Sequence, residues 1–495
     1  MSYLSLLRLA APECVVVFTA LAVLALDLVT MRGQALRVRF QVAGLFACLG
    51  CAAAAACLLV LPADANVYNG MWVSDPAVRL VKLGVLAMTA FTVVLSLDSD
   101  FTEHIGEYLV LVLLAAVGMM LLAGTENVLM LFIALELTSL SLYILTAFDK
   151  HDRHSAEAAL KYFLFGGMAA AFTLFGLSLL YGLTGSIRLQ DIAAGAAAHP
   201  LDPLLLVAIV MVVIGFGFKI AAVPFHLWAP DAYQGAPTPV AAFIASGSKV
   251  ASFFVFAKVM MLGFRGAEGN GGWQSFDPGW TPVIAVVAVL SMVLGNLAAI
   301  VQSNVRRLLA YSAIAHAGYL LLAVMAHSYG SLGALMYYAI TYGITTIGAF
   351  AVVAQVERSG SEATMSAFAG LSRRAPLLSF CLLVFILSLA GIPPLAGFFA
   401  KFYVFTAALR DGAPRLGMLW LVLVALATSA ISLYYYLQVL KQVYVADPPE
   451  DAAPVPVSWP GRVLLCALAA LVILLGCFPA LLAGPIENAL RALAP

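Results

Sequence analysis

LLLVAIVMVVIGFGFKIAAVPFHLW, residues 204–228, is an apolar run long enough to cross a bilayer, and it holds a single lysine, Lys219, followed five residues later by Pro224. An ammonium at bilayer depth costs roughly 2.5 to 3.5 kcal/mol on insertion scales, so such a residue faces a partner or a hydrated path. A backbone break at that depth is tolerated only against protein or water. A titratable cation beside a broken helix points to an ion route.

The rest of the chain supplies the membrane. Of its 495 residues 63% are hydrophobic and 10% charged, with a mean hydropathy of +1.03, which excludes an ordinary soluble domain. Basic and acidic residues balance at 25 each, so no basic excess points to nucleic acid. The seven cysteines lie in apolar segments, and the close pair Cys48 and Cys51 lacks the further ligands of a zinc or iron-sulfur set, which makes the pair structural. No Gly-rich dinucleotide fingerprint or phosphate loop is present, so no redox centre or nucleotide site is visible.

Apolar stretches of bilayer length number about fourteen. They read as an all-α polytopic membrane protein with helices near 11–31, 40–62, 77–97, 107–123, 127–147, 156–183, 203–227, 237–263, 281–302, 304–326, 330–356, 376–409, 416–445 and 461–484. No signal-peptide cleavage site is evident, so the first helix is expected to be retained. Basic residues concentrate after odd-numbered helices, among them Arg32, Arg37, Arg39, Lys150, Arg153, Arg306, Arg307, Arg358, Arg373, Arg374 and Arg462. The opposite side carries mainly Arg8, Arg188, Arg265, Arg410, Arg415 and Arg491, which predicts both termini outside. The acidic loop near 98–107 lends this orientation no support.

Two helices are expected to be discontinuous. Helix seven carries Pro224 and Pro230, and helix twelve carries Pro393 and Pro394 in LSLAGIPPLAGFFAKFYVF, with Lys401 just beyond. They are five helices apart, an odd number, so equivalent segments would cross in opposite directions, as in an inverted repeat whose broken helices mark the transport sites. The expected divisions are an N-terminal three-helix segment at 1–104, a first repeat of helices four to eight at 105–263, a second repeat of helices nine to thirteen at 281–445, and helix fourteen at 461–495. One mismatch stands, since Lys219 precedes its proline and Lys401 follows its pair.

Several further charges lie deep in these segments. Glu136 is near the middle of helix five, and Lys219 is its candidate partner, either as a coupled pair whose proton occupancy changes with neighbouring charge or as a static salt bridge. Lys249 is central to helix eight among Ser246, Gly247, Ser248 and Ser252, which suit water and close helix approach. Lys258, nine residues on and roughly 13 Å away on the other face, is expected to snorkel to the interface. His226 follows the break and could pass a proton or serve the broken backbone, while Asp231 reads as structural or capping. Tyr311, Ser312 and His316 on helix ten, with Tyr337, Tyr338, Thr341 and Tyr342 on helix eleven, would hold water between Lys249 and Lys401. Lys161 near the start of helix six is expected to be partly interfacial. Together Glu136, Lys219, Lys249, His316 and Lys401 predict a lateral polar axis, unlike the charged rings of a cation channel filter.

The stretches LALELTSLSLYIL, GFGFKIAAVPFHLWAPDAYQGAPTPVAAFIASGSK, NVRRLLAYSAIAHAGYLL and GIPPLAGFFAKFYVF resemble the antiporter-like subunits of respiratory complex I, over most of residues 105–445. M-type siblings place a glutamate where Lys401 stands, and L-type siblings continue into a long lateral helix, whereas this chain stops at Pro495. By motif, Glu136 resembles the family's helix-five glutamate, Lys219 its helix-seven lysine, Lys249 its central helix-eight lysine and Lys401 its exit-side lysine; Lys161, His226 and Tyr311 fall within the same motifs. The resemblance implies a non-redox subunit of a proton-translocating NADH:quinone oxidoreductase in a bacterial inner membrane. It implies that NADH, FMN, iron-sulfur clusters and quinone belong to partner subunits, with K-type and M-type neighbours and the lateral helix of an L-type subunit alongside. The alternatives are a subunit of an Mrp-type cation/proton antiporter without redox coupling and a structural scaffold.

Overall fold

The computed structural model describes residues 7–61, 65–197, 202–273, 275–360, 362–411, 416–448 and 454–492; Arg415 and Pro495 lie outside them. Helix α1 (Ala11–Ala25) runs into a π turn at Leu26–Thr30 and is followed by α2 (Leu36–Val60). A hairpin of β1 (Ala65–Val67) and β2 (Trp72–Ser74), with Asn66 opposite Val73, leads to α3 (Pro76–Ser96), α4 (Ile105–Ala123), α5 (Val128–Thr146) and α6 (Arg153–Thr184). After the short α7 (Leu189–Ala197) come α8 (Pro203–Lys219), α9 (Trp228–Gly235), α10 (Thr238–Ala245) and α11 (Gly247–Lys258), closed by a π turn at Val259–Gly263. A second hairpin, β3 (Asn270–Gly272) and β4 (Ser275–Asp277), precedes α12 (Trp280–Ile300), α13 (Val305–Ala326) and α14 (Tyr329–Glu357). The chain then forms α15 (Leu371–Arg374), α16 (Pro376–Ala390), α17 (Ala396–Asp411), α18 (Leu419–Tyr444), α19 (Trp459–Cys477) and α20 (Ala480–Arg491).

Among the described residues twelve helical stretches are long and apolar enough to cross a membrane, and the shorter apolar helices α8 and α16 fall where the prolines interrupt the pattern. The most enclosed stretches are Thr238–Gly263, Val305–Ala326 and Tyr329–Glu357, which form the centre of the bundle. By contrast α2 and α6 present rows of apolar side chains outward, among them Leu45, Leu49, Phe163 and Met168. That is the pattern of helices facing lipid or another membrane chain.

Two segments depart from the sequence reading. The stretch 237–263 is interrupted at Ser246, whose backbone leaves the helical region (φ −118°, ψ −81°) and whose hydroxyl turns back to the Ala242 carbonyl at 2.7 Å. The stretch 461–484 is two helices, because Pro479 drives Phe478 out of the helical region and the chain restarts at Ala480.

Ion pairs fasten the N-terminal helices to one another, and one reaches the centre. Asp27, in the π turn, takes Arg39 of α2 in a two-pronged contact at 2.8 Å and the Gly106 N–H of α4 at 2.9 Å. Glu13 of α1 meets Lys82 of α3 at 2.7 Å, with Lys82 also over the Trp72 ring at 5.2 Å. Lys258 corrects the snorkelling expectation. It is buried and meets Glu126 at 3.3 Å, because the loop before α5 tucks under the first hairpin, where the Glu126 N–H donates to the Gly70 carbonyl at 2.7 Å. A carboxylate therefore comes to the lysine in place of interfacial water.

Removing one partner of such a pair strands a buried charge. Lys258→Met should lower stability by about 3 kcal/mol, read as a fall in the thermal midpoint of the solubilised protein. Adding Glu126→Leu should recover most of it; a single variant as stable as the parent would contradict the pairing.

Candidate functional site

The two broken helices solve the same backbone problem. Helix α8 begins at Pro203 with the Asp202 side chain accepting from the Leu204 N–H at 2.8 Å, and ends at Lys219. Ala221 then takes a left-handed conformation (φ +58°), and the Trp228 Nε1–H reaches back to the Phe218 carbonyl at 3.0 Å. Helix α16 ends at Ala390 against Gly391 (φ +87°), and the Lys401 ammonium, arriving from α17, donates to the Ala390 carbonyl at 2.9 Å. Protein donors thus meet exposed helix-end carbonyls at both breaks. At each break a lysine is associated with the C-terminal end of the first half-helix, where the helix dipole favours a cation. The sequence mismatch between Lys219 and Lys401 resolves in this way, one lysine lying in the last turn itself and the other folding back onto it.

A Cβ at Gly391 would lie 3.0 Å from Lys401 Cδ, and the left-handed backbone there disfavours any other residue. Glycine makes room for the ammonium.

Glu136 and Lys219 line one small cavity of about 10 Å³ with Phe132, Leu135, Ala169, Ala170, Thr173 and Gly215. This is close to the smallest volume that holds a water. They form no direct salt bridge. Lys219 Nζ instead donates to Ser139 Oγ, one turn along α5 from Glu136, and lies 5.6 Å from the Tyr143 ring centre. The fixed salt-bridge alternative is thereby set aside.

Lys249, in the first turn of α11 after the Ser246 interruption, donates to the Ala313 carbonyl at 2.8 Å and lies 5.8 Å from the Tyr342 ring. That ring is 5.0 Å from His316. His316 Nδ1 contacts Tyr338 Oη at 2.7 Å and Nε2 contacts Tyr436 Oη at 3.2 Å, with Ser312 Oγ 2.5 Å beyond Tyr436. On its other side the His316 ring meets Tyr319 at 5.7 Å, and Lys401 Nζ lies 5.4 Å from the Tyr319 ring while donating to Ser429 Oγ at 2.8 Å. A second cavity of about 10 Å³, lined by His316, Tyr338, Thr341, Tyr342, Thr345 and Ser388 among others, opens beside this cluster. The structure therefore brings Lys249, His316 and Lys401 together around shared tyrosines. Between Lys219 and Lys249 the described side chains form no continuous hydrogen-bond chain.

Lys161, His226 and Tyr311 lie apart from that cluster. Lys161 is partly exposed and pairs with Glu157 at 2.7 Å and Asp231 at 2.9 Å; Asp231 also takes Arg307 at 2.6 Å. Burial pushes the Asp231 carboxyl up, but hydrogen bonds from Lys161 and Arg307 outweigh it and hold the group below its ordinary value of 3.8. Its contribution is accordingly complete above that value and is lost only as pH falls through the lowered one. His226 is half-buried, with Nδ1 sheltered and lacking a hydrogen-bond partner of standard geometry among the described residues. Tyr311 is partly buried against the core.

Sequence reasoning missed Ser139, Tyr319, Ser429 and Tyr436. Ser139 had a usable signal, standing one helical turn after Glu136, and so did Tyr319, one turn after His316 on the same helix; Ser429 and Tyr436 are set by contacts between helices. It also missed the pair Glu13 and Lys82, two charges inside apolar segments. No group of three or more His, Cys, Asp or Glu residues able to hold a metal occurs among the described residues.

The chain is similar in sequence and fold to known proteins. Residues 125–432 match the family model described as the transmembrane part of NADH:quinone oxidoreductase and Mrp antiporters. NADH-quinone oxidoreductase subunit N 2 of Acidobacterium capsulatum is 55% identical over 97% of this chain and 98% of its own. NADH-quinone oxidoreductase subunit N of Desulforamulus reducens is 40% identical over 84% and 85% respectively. A chain of respiratory complex I from Thermus thermophilus is 36% identical, with a TM-score of 0.78 over 96% of this chain and 98% of that one. A chain of the Mrp complex from Dietzia shares the fold, with a TM-score of 0.82 over 98% and 97%, at 20% identity.

Lys219, Lys249 and Lys401 have no ion-pair partner among the described residues, whereas Lys82 and Lys258 do. Lys249→Met and Lys401→Met should therefore change stability by less than about 1.5 kcal/mol, since no counter-charge is stranded. Thermal midpoints of both beside Lys82→Met, expected to lose about 3 kcal/mol, check this. Equal losses in all three would contradict it.

Proposed function

We propose, for a chain that belongs to the subunit N branch of the NADH-quinone oxidoreductase and Mrp antiporter membrane family, that it carries protons within a redox-driven complex through Glu136, Lys219, Lys249, His316 and Lys401. The observation that supports this most is the set of three sheltered lysines held only by neutral oxygen acceptors: Ser139 for Lys219, the Ala313 carbonyl for Lys249, and the Ala390 carbonyl with Ser429 for Lys401. Lys249 and Lys401 have no carboxylate in contact among the described residues, and Lys219 has Glu136 across a shared cavity, so none of the three is fixed by a direct ion pair. Protonation of one site then disfavours protonation of the next.

In this reading charge movement in neighbouring subunits reaches Glu136 first. Glu136 and Lys219 share a cavity, so a change in the carboxylate's charge alters the stability of the ammonium across it. Lys249 passes protons towards His316, whose two ring nitrogens both face tyrosine hydroxyls and so can accept on one side and donate on the other. Lys401 stands at the exit, bound to a broken helix end. Lys161, His226 and Tyr311 act at the approaches to this axis.

The segments 105–263 and 281–445 are taken as two inverted repeats, each with a helix broken at prolines, beside an N-terminal segment at 1–104 and a C-terminal one at 461–495. The complex is a translocase in which NADH oxidation and quinone reduction take place in other subunits, with FMN and iron-sulfur clusters there. The neighbours are K-type and M-type membrane subunits and the lateral helix of an L-type subunit, in a bacterial inner membrane with both termini outside. The Mrp-like fold alone does not favour free cation exchange, since at 20% identity it carries architecture and no chemistry.

In the assembled complex, Lys219→Ala and Glu136→Ala should each lower NADH-driven quinone reduction more than about fivefold, a barrier rise of about 1 kcal/mol, without loss of the subunit from the membrane. Full activity together with full proton pumping in both variants would overturn the proposal, and sodium-dependent exchange in vesicles devoid of quinone reductase activity would favour the antiporter reading.

A further inference from the structure

A cavity of about 490 Å³ lies where α14 begins, α17 ends and α20 crosses them. It is larger than the two cavities of the relay and separate from them. Its size falls within the roughly 300–1,000 Å³ typical of small-molecule sites. Its floor is apolar, built by Ala334, Ala407, Ile486 and Leu490, and its wall carries the rings of Tyr337 and Tyr403, packed edge to face at 5.2 Å. At the rim stand Arg410 and Arg491. Arg491 is bonded to Glu487 at 2.6 Å, whereas Arg410 is exposed and has no acidic partner among the described residues.

Three features select the occupant. The rim lies at the start of the membrane-crossing helix α14 and at the C-terminal ends of α17 and α20, a level at which tyrosine and arginine meet the headgroup layer. The floor is too apolar for a small inorganic anion to gain from entering it. The unmatched guanidinium favours negative charge at the mouth. We infer that this cavity seats the headgroup and upper acyl chain of an anionic glycerophospholipid, with the phosphate at Arg410 and the chain along the Tyr337 and Tyr403 wall.

Helix α20 acts as the fourth side of the seat. A Cβ at Gly333 would lie 3.2 Å from Leu490 and 3.5 Å from Ile486, so the first turn of α14 lets α20 settle closely without closing the space between them. The seat is independent of the proton relay, and its occupancy is read without any turnover.

The test is lipid retention by the intact complex. The complex is purified in detergent from membranes containing phosphatidylglycerol, exchanged into nanodiscs with equal phosphatidylglycerol and phosphatidylcholine, and its tightly held lipid is quantified by native mass spectrometry. The parent should retain about one phosphatidylglycerol more than Arg410→Gln, whose preference over phosphatidylcholine should drop about fivefold, the effect of one surface cation. Ala407→Trp, which fills the floor and leaves the rim charges in place, should lose the same lipid. Equal retention by the parent and both variants would overturn the inference, as would loss in Arg410→Gln with no loss in Ala407→Trp, which would leave only a surface charge effect. A peptide segment of this or a neighbouring chain crosslinking into the cavity from a residue introduced at Ala407 would overturn it too.

Discussion

The central constraint is the cost of an ammonium group in an apolar interior with no carboxylate in direct contact. At bilayer depth such a group is held only if its protons find acceptors, and at the three relay lysines the acceptors are neutral oxygens. The two helix breaks expose main-chain groups that a continuous helix would have consumed, and Lys401 uses one of them directly. At Lys401 the broken helix and the buried lysine are therefore one device, because the carbonyl that the break sets free gives the cation somewhere to bind without neutralising it. Lys219 and Lys249 instead rest on a serine hydroxyl and a carbonyl of unbroken helices.

Elsewhere the same chain pairs its buried charges in the ordinary way. Glu13 with Lys82 and Asp27 with Arg39 join the N-terminal helices to one another, and Glu126 with Lys258 joins the loop under the first hairpin to a central helix. A carboxylate in contact balances the charge of Lys82 and of Lys258, whereas the ammonium groups of Lys219, Lys249 and Lys401 rest on neutral oxygens. Two populations of lysine thus sit in one bundle, one paired across helices and the other without a carboxylate in contact among the described residues.

Much of this was legible in the sequence because the membrane magnifies each departure from apolarity. A lysine in LLLVAIVMVVIGFGFK or a proline pair in LSLAGIPPLAG stands out against twenty apolar neighbours, so the broken helices and Lys219, Lys249 and Lys401 could be found by position alone. What could not be read was pairing. Lys258 looked able to snorkel because helix arithmetic places it near an end, and only the fold brings Glu126 across from the loop before α5. Glu136 and Lys219 looked like a contact pair, but Ser139 on the next turn intercepts the ammonium. The Ser246 interruption was hidden because Ser-Gly-Ser reads equally as a helix-packing surface. Tyr436 entered the site through a contact with His316 more than a hundred residues away, which no local pattern encodes, whereas Tyr319, one turn from His316, could have been read from helix spacing.

The claim that the unpaired lysines work by gaining and losing protons is tested most directly by Lys249→Arg. Arginine keeps the positive charge but does not deprotonate in proteins. The measurement is the number of protons translocated per NADH oxidised by the assembled complex in sealed proteoliposomes. The account predicts a lower ratio than the parent's, with the subunit still assembled. An unchanged ratio at undiminished turnover would show that a fixed charge suffices at Lys249, and would contradict it.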